Sequence, residues 1–240
     1  MNRGIVIGSV LAVAALAATI SFRACAAAPE TPSRAATAAP EPAPAPSRSQ
    51  WQPGLNYTVL GHPGAPTVAK GKVLVNEVFW YGCGHCYALD PTLEEWKKSK
   101  PEFIEFTRIP VIWGPAHRQH AKLFYTLQKL GREDLHPKVF NAIHELHNPL
   151  MAATDDAARA MHLAFFKENG VTEKQFNDAY DSPEVAKKVS EAAGLTNAYE
   201  VSAVPTMIVA GAYSTSVSQA GGEEQLLSLI DDLATREQRR

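Results

Sequence analysis

Cysteine is scarce in this chain, which has three cysteines in 240 residues, at positions 25, 83 and 86. So few cysteines exclude a small scaffold held together by disulfides. The charge is balanced, with 23 Lys and Arg against 25 Asp and Glu, so no basic surplus points to nucleic-acid binding. No apolar run reaches the roughly 18–20 residues of a membrane span. Because an odd number of cysteines is unexpected in a secreted protein, the fate of Cys25 is the first question.

The N-terminus has the pattern of an export signal. A short positive start precedes Ile5 to Ile20, which is apolar or small throughout, and Ala24-Cys25-Ala26 offers a small-x-small cleavage site. We expect residues 1–26 to be removed as a signal peptide, with cleavage as late as residue 28, so that Cys25 leaves with it. Two alternatives remain: a lipoprotein, whose cleavage box is matched poorly before Cys25, and an uncleaved anchor, for which the apolar run is short.

Residues 27–50 are predicted to be an Ala/Pro-rich disordered linker. Six of the 17 prolines fall in this stretch, which contains no aliphatic side chain larger than Ala and no aromatic residue. Such a segment cannot bury a core, and its prolines favour an extended, solvated spacer. From Trp51 onward the composition is globular, and the remaining length suffices for one domain with a proper core.

The globular part alternates strand and helix patterns around a helical block. The predicted strands cover residues 72–81, 103–109, 206–210 and 213–217, and helices are predicted over residues 84–98, in five segments within 115–199, and over 223–236. Pro91 should kink or end the first helix. Gly194 should end or weaken the last helix of the block. This order predicts an α/β sheet interrupted by a helical insertion.

The chemistry lies in Cys83-Gly84-His85-Cys86, at the junction of a strand and a helix. Two cysteines separated by two residues can close a small disulfide ring. Cys83 would lie at the helix N-terminus, where unpaired backbone N–H groups stabilise a thiolate, and His85 can add a donor or a charge. We expect Cys83 to be the attacked and leaving sulfur and Cys86 to be its resolving partner.

Other uses of these residue types are less well supported. A zinc site needs four ligands. Covalent haem attachment needs a histidine directly after the second cysteine, where Tyr87 stands. A purely structural disulfide would stabilise little, because its loop is short, and it leaves the position at the helix start unexplained. The pairs His117/His120 and His144/His147 have no third ligand nearby and are interpreted as solvated helix positions, so no metal is expected.

Several motifs together match one known family. Cys83-Gly84-His85-Cys86 follows a buried strand, Pro91 lies eight residues after Cys83, Val204-Pro205 directly precedes a strand, and Glu77 lies six residues before Cys83. In this combination the chain resembles the thioredoxin fold and, with its export signal and helical insertion, the DsbA-type thiol:disulfide interchange proteins. The resemblance covers roughly residues 55–236. The sequence departs from the family pattern at Gly84, where Pro is common, and in its long linker.

The resemblance implies a fold and an activity. The fold is an α/β thioredoxin domain in two parts, residues 51–114 and 200–240, with a helical domain of residues 115–199 inserted between the β-α-β half and the C-terminal hairpin-helix half. The activity is that of a periplasmic oxidoreductase that donates the Cys83–Cys86 disulfide to reduced exported polypeptides. A membrane disulfide oxidase of the DsbB type would reoxidise it. The protein would be a monomer without a bound cofactor or nucleic-acid partner, and membrane tethering is a minor alternative.

Supporting roles follow for three further residues, each with an alternative. A cis Pro205 would leave the backbone of Val204 free to pair with an extended substrate, whereas an ordinary turn proline would not. A buried Glu77 would have a raised pKa and could exchange protons with Cys86, or it could be paired structurally with Arg108.

Two other functions remain open. An isomerase or reductant could use the same fold, and a non-enzymatic binding or chaperone module could use the apolar surface of the insertion. Four apolar residues could line a surface for unfolded substrates or pack in the core: Trp80, Tyr81, Trp113 and Met207.

Overall fold

A computed structural model of the chain describes residues 50–61 and 69–240. The predicted signal peptide, Cys25 and nearly all of the predicted linker lie outside the described residues. The strands are β1 (Thr58–Val59), β2 (Val73–Phe79), β3 (Ile104–Pro110), β4 (Thr206–Val209) and β5 (Tyr213–Thr215). The helices are α1 (Gly84–Ser99), α2 (Pro115–Lys129), α3 (His136–His144), α4 (Asp155–Glu168), α5 (Glu173–Tyr180), α6 (Pro183–Ala198), α7 (Val217–Ala220) and α8 (Glu223–Gln238).

The five strands form one sheet in the order β1-β5-β4-β2-β3, with β2 in the interior. All seven residues of β2 are buried, as expected of a β-branched and aromatic run covered on both faces. It pairs in parallel with β3 and antiparallel with β4. This register places Glu77 directly beside Arg108 and opposite Met207. The centre of the sheet therefore carries a buried carboxylate a few residues before the two cysteines.

Five helices, α2 to α6, lie between β3 and β4 in the chain. The sequence marks several of their ends, because Thr154, Thr172 and Ser182 each accept a hydrogen bond from a backbone N–H of the first turn. Thr172 and Gln175 form the predicted capping box. Gly194 does not end α6, which continues to Ala198.

Three local features refine the sequence prediction. Of the two effects expected of Pro91, it does not end α1, which continues through it to Ser99 even though proline has no N–H to donate to the preceding turn. The hairpin strand β5 ends at Thr215, because Ser216 caps α7 by accepting a hydrogen bond from Gln219 N–H. The two-residue β1 and four-residue α7 were not predicted, since neither is long enough to show a period. No helix within residues 50–61 and 69–240 is long and apolar enough to cross a bilayer.

Three histidines are buried in or against the helical block. The prediction that His120 is solvated is wrong, because only 1% of its surface is exposed. His120 Nε2 is 2.9 Å from the carbonyl of Pro149, and His162 Nε2 is 2.7 Å from the carbonyl of Leu150. Burial lowers the pKa of His120, His136 and His162 to about 4 in each case. Helical spacing alone did not show which face of the helix these residues occupy.

We expect the free energy of unfolding to fall as the pH decreases from about 6.5 toward 4. In this range these histidines bind protons in the unfolded chain but stay neutral when they are buried in the folded protein. Each histidine should cost about 2 kcal/mol between pH 7 and pH 5. Urea unfolding of the wild type and of His162→Gln measures this. The glutamine can still donate to Leu150 but does not titrate, so its pH dependence should be shallower. His147→Gln, at an exposed position, is the control, and equal slopes for all three proteins would contradict the expectation.

Candidate active site

The turn after β2 places Cys83 at the start of α1. Cys83 has the extended backbone of an N-cap residue, with φ −91° and ψ 117°, and its N–H donates to the carbonyl of Trp80 at 3.0 Å. Gly82 is required in this turn, because a Cβ there would lie 2.4 Å from the Trp80 indole. Cys83 and Cys86 are free thiols, so the structure presents the dithiol form of the predicted pair.

The two sulfurs differ sharply in surroundings. Cys83 is partly exposed and Cys86 is fully buried. The Cys86 thiol donates to the Cys83 sulfur, which lowers the pKa of Cys83 to about 5 against the opposing effect of burial. The backbone N–H groups of Cys86 and His85 and the charge of His85 lower it further. The same hydrogen bond, followed by burial, raises the pKa of Cys86 far above that of a free thiol. At neutral pH the pair therefore carries one negative charge, on the outer sulfur.

The loop before β4 lies beside the outer sulfur. The Val204–Pro205 peptide bond is cis, as the sequence resemblance implied. In the thiol form Cys83 Sγ donates to the carbonyl of Val204 at 3.5 Å. His85, Val204 and Pro205 also line a largely apolar cavity of about 400 Å³. Residues separated by about 120 positions in the chain thus form one face around Cys83.

Glu77 has a raised pKa and is also paired with Arg108, two properties that the sequence left as alternatives. Burial raises its pKa, while Arg108 acts against the rise. Glu77 Oε2 accepts from Arg108 Nε at 2.8 Å, and Glu77 Oε1 has no hydrogen-bond partner within the described part of the chain. The charge of Glu77 also raises the pKa of Cys86, so the carboxylate and the inner sulfur interact electrostatically.

Arg108 has two further partners that the sequence pattern did not predict. Asp90 accepts from Arg108 at 2.7 Å and Glu94 accepts at 2.9 Å, so the guanidinium faces three carboxylates. Asp90 and Glu94 are four residues apart, so the sequence indicates that they share one face of α1. Only the packing of α1 beside β3 shows that this face meets Arg108. Together Glu77, Asp90, Glu94 and Arg108 are called here the Arg108 cluster.

The four apolar residues left open by the sequence divide between core and surface. Tyr81 and Met207 are core residues, with 0% and 1% of their surface exposed. Trp80 is partly buried against the core, and Trp113 is 46% exposed. Among the described residues, no three His, Cys, Asp or Glu side chains are grouped so that they could hold a metal ion.

The fold and the site together define a class of protein. A Cys-x-x-Cys pair at a helix start, beside a cis-proline loop and on a sheet of this topology, is the arrangement of the thioredoxin fold. The family described as the DSBA-like thioredoxin domain matches residues 102–231. The chain belongs to this DSBA-like thioredoxin domain family.

Individual relatives agree with this assignment. The thiol:disulfide interchange protein DsbA of Pseudomonas aeruginosa is 37% identical over 185 residues, which are 77% of this chain and 84% of that protein. The protein of the same name from Burkholderia cepacia is 36% identical over 186 residues, 77% of this chain and 85% of the relative. A crystal structure of Pseudomonas aeruginosa DsbA matches with a TM-score of 0.71 at 35% identity, covering 79% of this chain and 95% of that one. The predicted fold class, a thioredoxin fold with a helical insertion, is confirmed.

The asymmetry of the two thiols should be visible in alkylation of the reduced protein. Because the thiolate is the reactive form and the pKa of Cys83 is about 5, the rate of its reaction with iodoacetamide should level off above about pH 6. Cys86 should stay unmodified in the folded protein. Mass spectrometry of the labelled protein at successive pH values gives both results. A rate that kept rising to pH 8, or labelling of Cys86 first, would contradict the assignment.

Removal of Arg108 should strongly destabilise the fold. Arg108→Met leaves three carboxylates near one another without their cation, for which we expect a loss of about 3–5 kcal/mol at neutral pH. The loss should shrink toward pH 5, because Glu77, whose pKa is raised by burial, then takes up a proton and no longer repels its neighbours. Urea unfolding at both pH values measures it. Lys98→Met, which removes a solvent-exposed ion pair with Glu95, is the control and should change little.

Proposed function

We propose that this protein is a periplasmic thiol:disulfide oxidoreductase that donates a Cys83–Cys86 disulfide to exported polypeptides as they fold. The observation that carries the proposal is the asymmetry of the two sulfurs. A stabilised Cys83 thiolate favours the reduced state of the protein, and a pair whose reduced state is favoured is a strong oxidant when it is a disulfide. The relatives named above are thiol:disulfide interchange proteins, which supports the same reaction here.

The reaction is a two-electron exchange in two steps. A substrate thiolate attacks Cys83 Sγ in the disulfide form, making a mixed disulfide and releasing Cys86 as the leaving thiolate. A second substrate thiolate then attacks the substrate sulfur of the mixed disulfide, forming the substrate disulfide and releasing the Cys83 thiolate. Two substrate thiols are oxidised and the protein disulfide is reduced, so no bound cofactor is needed. The low pKa of Cys83 makes it a good leaving group in the second step.

Glu77 is proposed to give a proton to Cys86 in the first step. Cys86 is released inside the protein, where burial and the charge of Glu77 disfavour a thiolate. Glu77 has a raised pKa and an unpaired oxygen within the described residues, so it can hold and transfer a proton. Arg108 does not deprotonate in proteins and is proposed only to orient the Glu77 carboxylate. Gly84 and His85 support the pair by forming the first turn of α1 around the outer sulfur.

Val204 and Pro205 are proposed to bind the substrate backbone. An extended chain joined to Cys83 through a disulfide would run along this loop, and the carbonyl of Val204 is within hydrogen-bonding reach of the outer sulfur. After each turnover a membrane disulfide oxidase of the DsbB type would restore the disulfide. The proposed location is the periplasm, reached through the N-terminal signal, and the proposed working form is a monomer.

Oxidation of a reduced dithiol peptide by the purified disulfide form tests the proposal. The wild type should oxidise one equivalent of peptide rapidly, and Cys83→Ser should lose this activity by at least a thousandfold, since the Cys83–Cys86 disulfide cannot form without Cys83. His147→Ser, at an exposed position, should match the wild type. A Cys83→Ser protein that oxidised at the normal rate would refute the mechanism. A reduction potential near the roughly −270 mV of thioredoxin would instead indicate a reductant.

A further inference from the structure

One face of α3 is built to contact the residues on both sides of the cysteine pair. His136, Phe140 and His144 are spaced four residues apart and therefore lie along the same face of the helix. This face packs against Tyr81, two residues before Cys83, and against Tyr87, the residue directly after Cys86. A tyrosine therefore lies on each side of the Cys83–Cys86 segment, and α3 contacts both of them.

The tyrosine on the strand side is held at three points. Its hydroxyl is 2.7 Å from His136 Nδ1, and its ring centroid lies 5.0 Å from that of Phe140. Its backbone carbonyl accepts from His144 Nε2 at 2.8 Å. No part of the Tyr81 surface is exposed. The chain entering the turn before Cys83 therefore has a fixed position relative to α3.

The tyrosine on the helix side is held by the end of α3. The rings of Tyr87 and His144 stack with centroids 4.7 Å apart and planes 4° from parallel. The Tyr87 hydroxyl donates to Glu145 Oε1 at 3.0 Å. Phe140 and His144 both touch the two flanks: Phe140 does so through its ring alone, and His144 does so through its N–H on one side and its ring face on the other.

The start of α1 needs such external support. It has no acidic residue in its first turn, and no side-chain hydrogen bond from the described residues caps it. Its first residue is Gly84, which loses more backbone freedom on folding than any other residue type. Yet the N–H groups of His85 and Cys86 must face the Cys83 sulfur to stabilise its charge. Small rotations of this turn would weaken that interaction.

We propose that α3 holds the Cys83–Cys86 segment in its working geometry through Tyr81 and Tyr87, with His144 as the positioning residue. This contact is called the α3 clamp. The inference rests on the proposed function, because that function makes the charge on Cys83 the property being set. The clamp gives the helical block a direct part in the redox chemistry of a pair that lies outside it.

Substitutions at His144 test the clamp. His144→Ala removes both contacts, His144→Gln retains an N–H donor for the Tyr81 carbonyl, and His144→Phe retains the stacking on Tyr87. His147→Ala, three residues further along and exposed, is the matched control. The readouts are the thiolate absorbance of the reduced protein against pH, the equilibrium with glutathione, and the thermal unfolding temperature.

We expect His144→Ala to lower the fraction of Cys83 thiolate at pH 5 about threefold and to shift the glutathione equilibrium toward the disulfide form by a similar factor, since both follow the stability of the thiolate. The glutamine and phenylalanine variants should show smaller changes, and His147→Ala should show none. A folded His144→Ala protein with wild-type values would overturn the proposal. If that variant does not fold, wild-type values in both His144→Gln and His144→Phe would overturn it.

Repeating His144→Ala in a protein that also carries Gly84→Pro shows whether the histidine acts by positioning the first turn of α1 or by stabilising the fold in general. Gly84→Pro fits the local geometry, because Cys83 has the extended backbone that proline prefers before it, and Gly84 is the first helical residue. Apart from the neighbouring residues and the backbone of α1 itself, a Cβ on Gly84 meets no described atom within 4 Å. Since proline fixes this turn by itself, the effect of His144→Ala should be at least halved in the Gly84→Pro background. An equal effect in both backgrounds would count against the clamp.

These measurements are independent of oxidase activity. A wild type that fails to oxidise the dithiol peptide, while the His144 variants still alter the thiolate titration, would refute the proposed function and leave the clamp standing. An active wild type whose thiolate titration is the same in all His144 variants would refute the clamp alone.

Discussion

A single negative charge on the Cys83 sulfur is the constraint around which the site is built. Sulfur is stabilised as an anion here by the Cys86 thiol and by the N–H groups of the first turn of α1, and both depend on where that turn lies. The turn is fixed from behind by Trp80, the residue directly after β2, whose carbonyl accepts from Cys83 N–H. Gly82 lets the indole of Trp80 pack against the backbone just before the pair. A central strand, a tight turn and a helix start therefore act together on one atom.

The Arg108 cluster adds, through Glu77, to the effects of the hydrogen bond between the two sulfurs and of burial, which keep the charge off Cys86. Three carboxylates face one guanidinium, so the interior beneath the pair is not a favourable place for a further negative charge. Cys86 lies on this side, and the charge of Glu77 raises its pKa. Cys83 lies on the other side, partly exposed and close to the N–H groups of α1. The electrostatics of the interior and of the helix start therefore act in the same direction and separate two chemically identical thiols.

The features that the sequence predicted correctly are those that depend on neighbours along the chain. The buried strand β2, the capping box of Thr172 and Gln175 and the cis bond before Pro205 are of this kind, and the last came from a family resemblance. The errors concern contacts between distant segments. His120 could not be placed in the core, because a helix with histidines at a spacing of three can turn either face inward. Asp90 and Glu94 were overlooked because their cation lies on β3.

The helical block illustrates why local patterns give an incomplete account of such a site. The sequence predicts α3 as one of the helical segments within residues 115–199, and nothing in its pattern refers to the cysteines about 50 residues earlier. Phe140 and His144 pack α3 against the rest of the domain, and the same two side chains contact Tyr81 and Tyr87. Packing of the helix and positioning of the cysteine segment therefore depend on the same side chains. The effect of having glycine, Gly84, at the first position of α1 also depends on these contacts of α3. With the two flanks of the pair held by α3, the turn between them needs little intrinsic stiffness to keep its N–H groups on the sulfur. The freedom lost at Gly84 is offset by contacts made by another part of the fold, and the chemistry of the pair becomes a property of the whole domain.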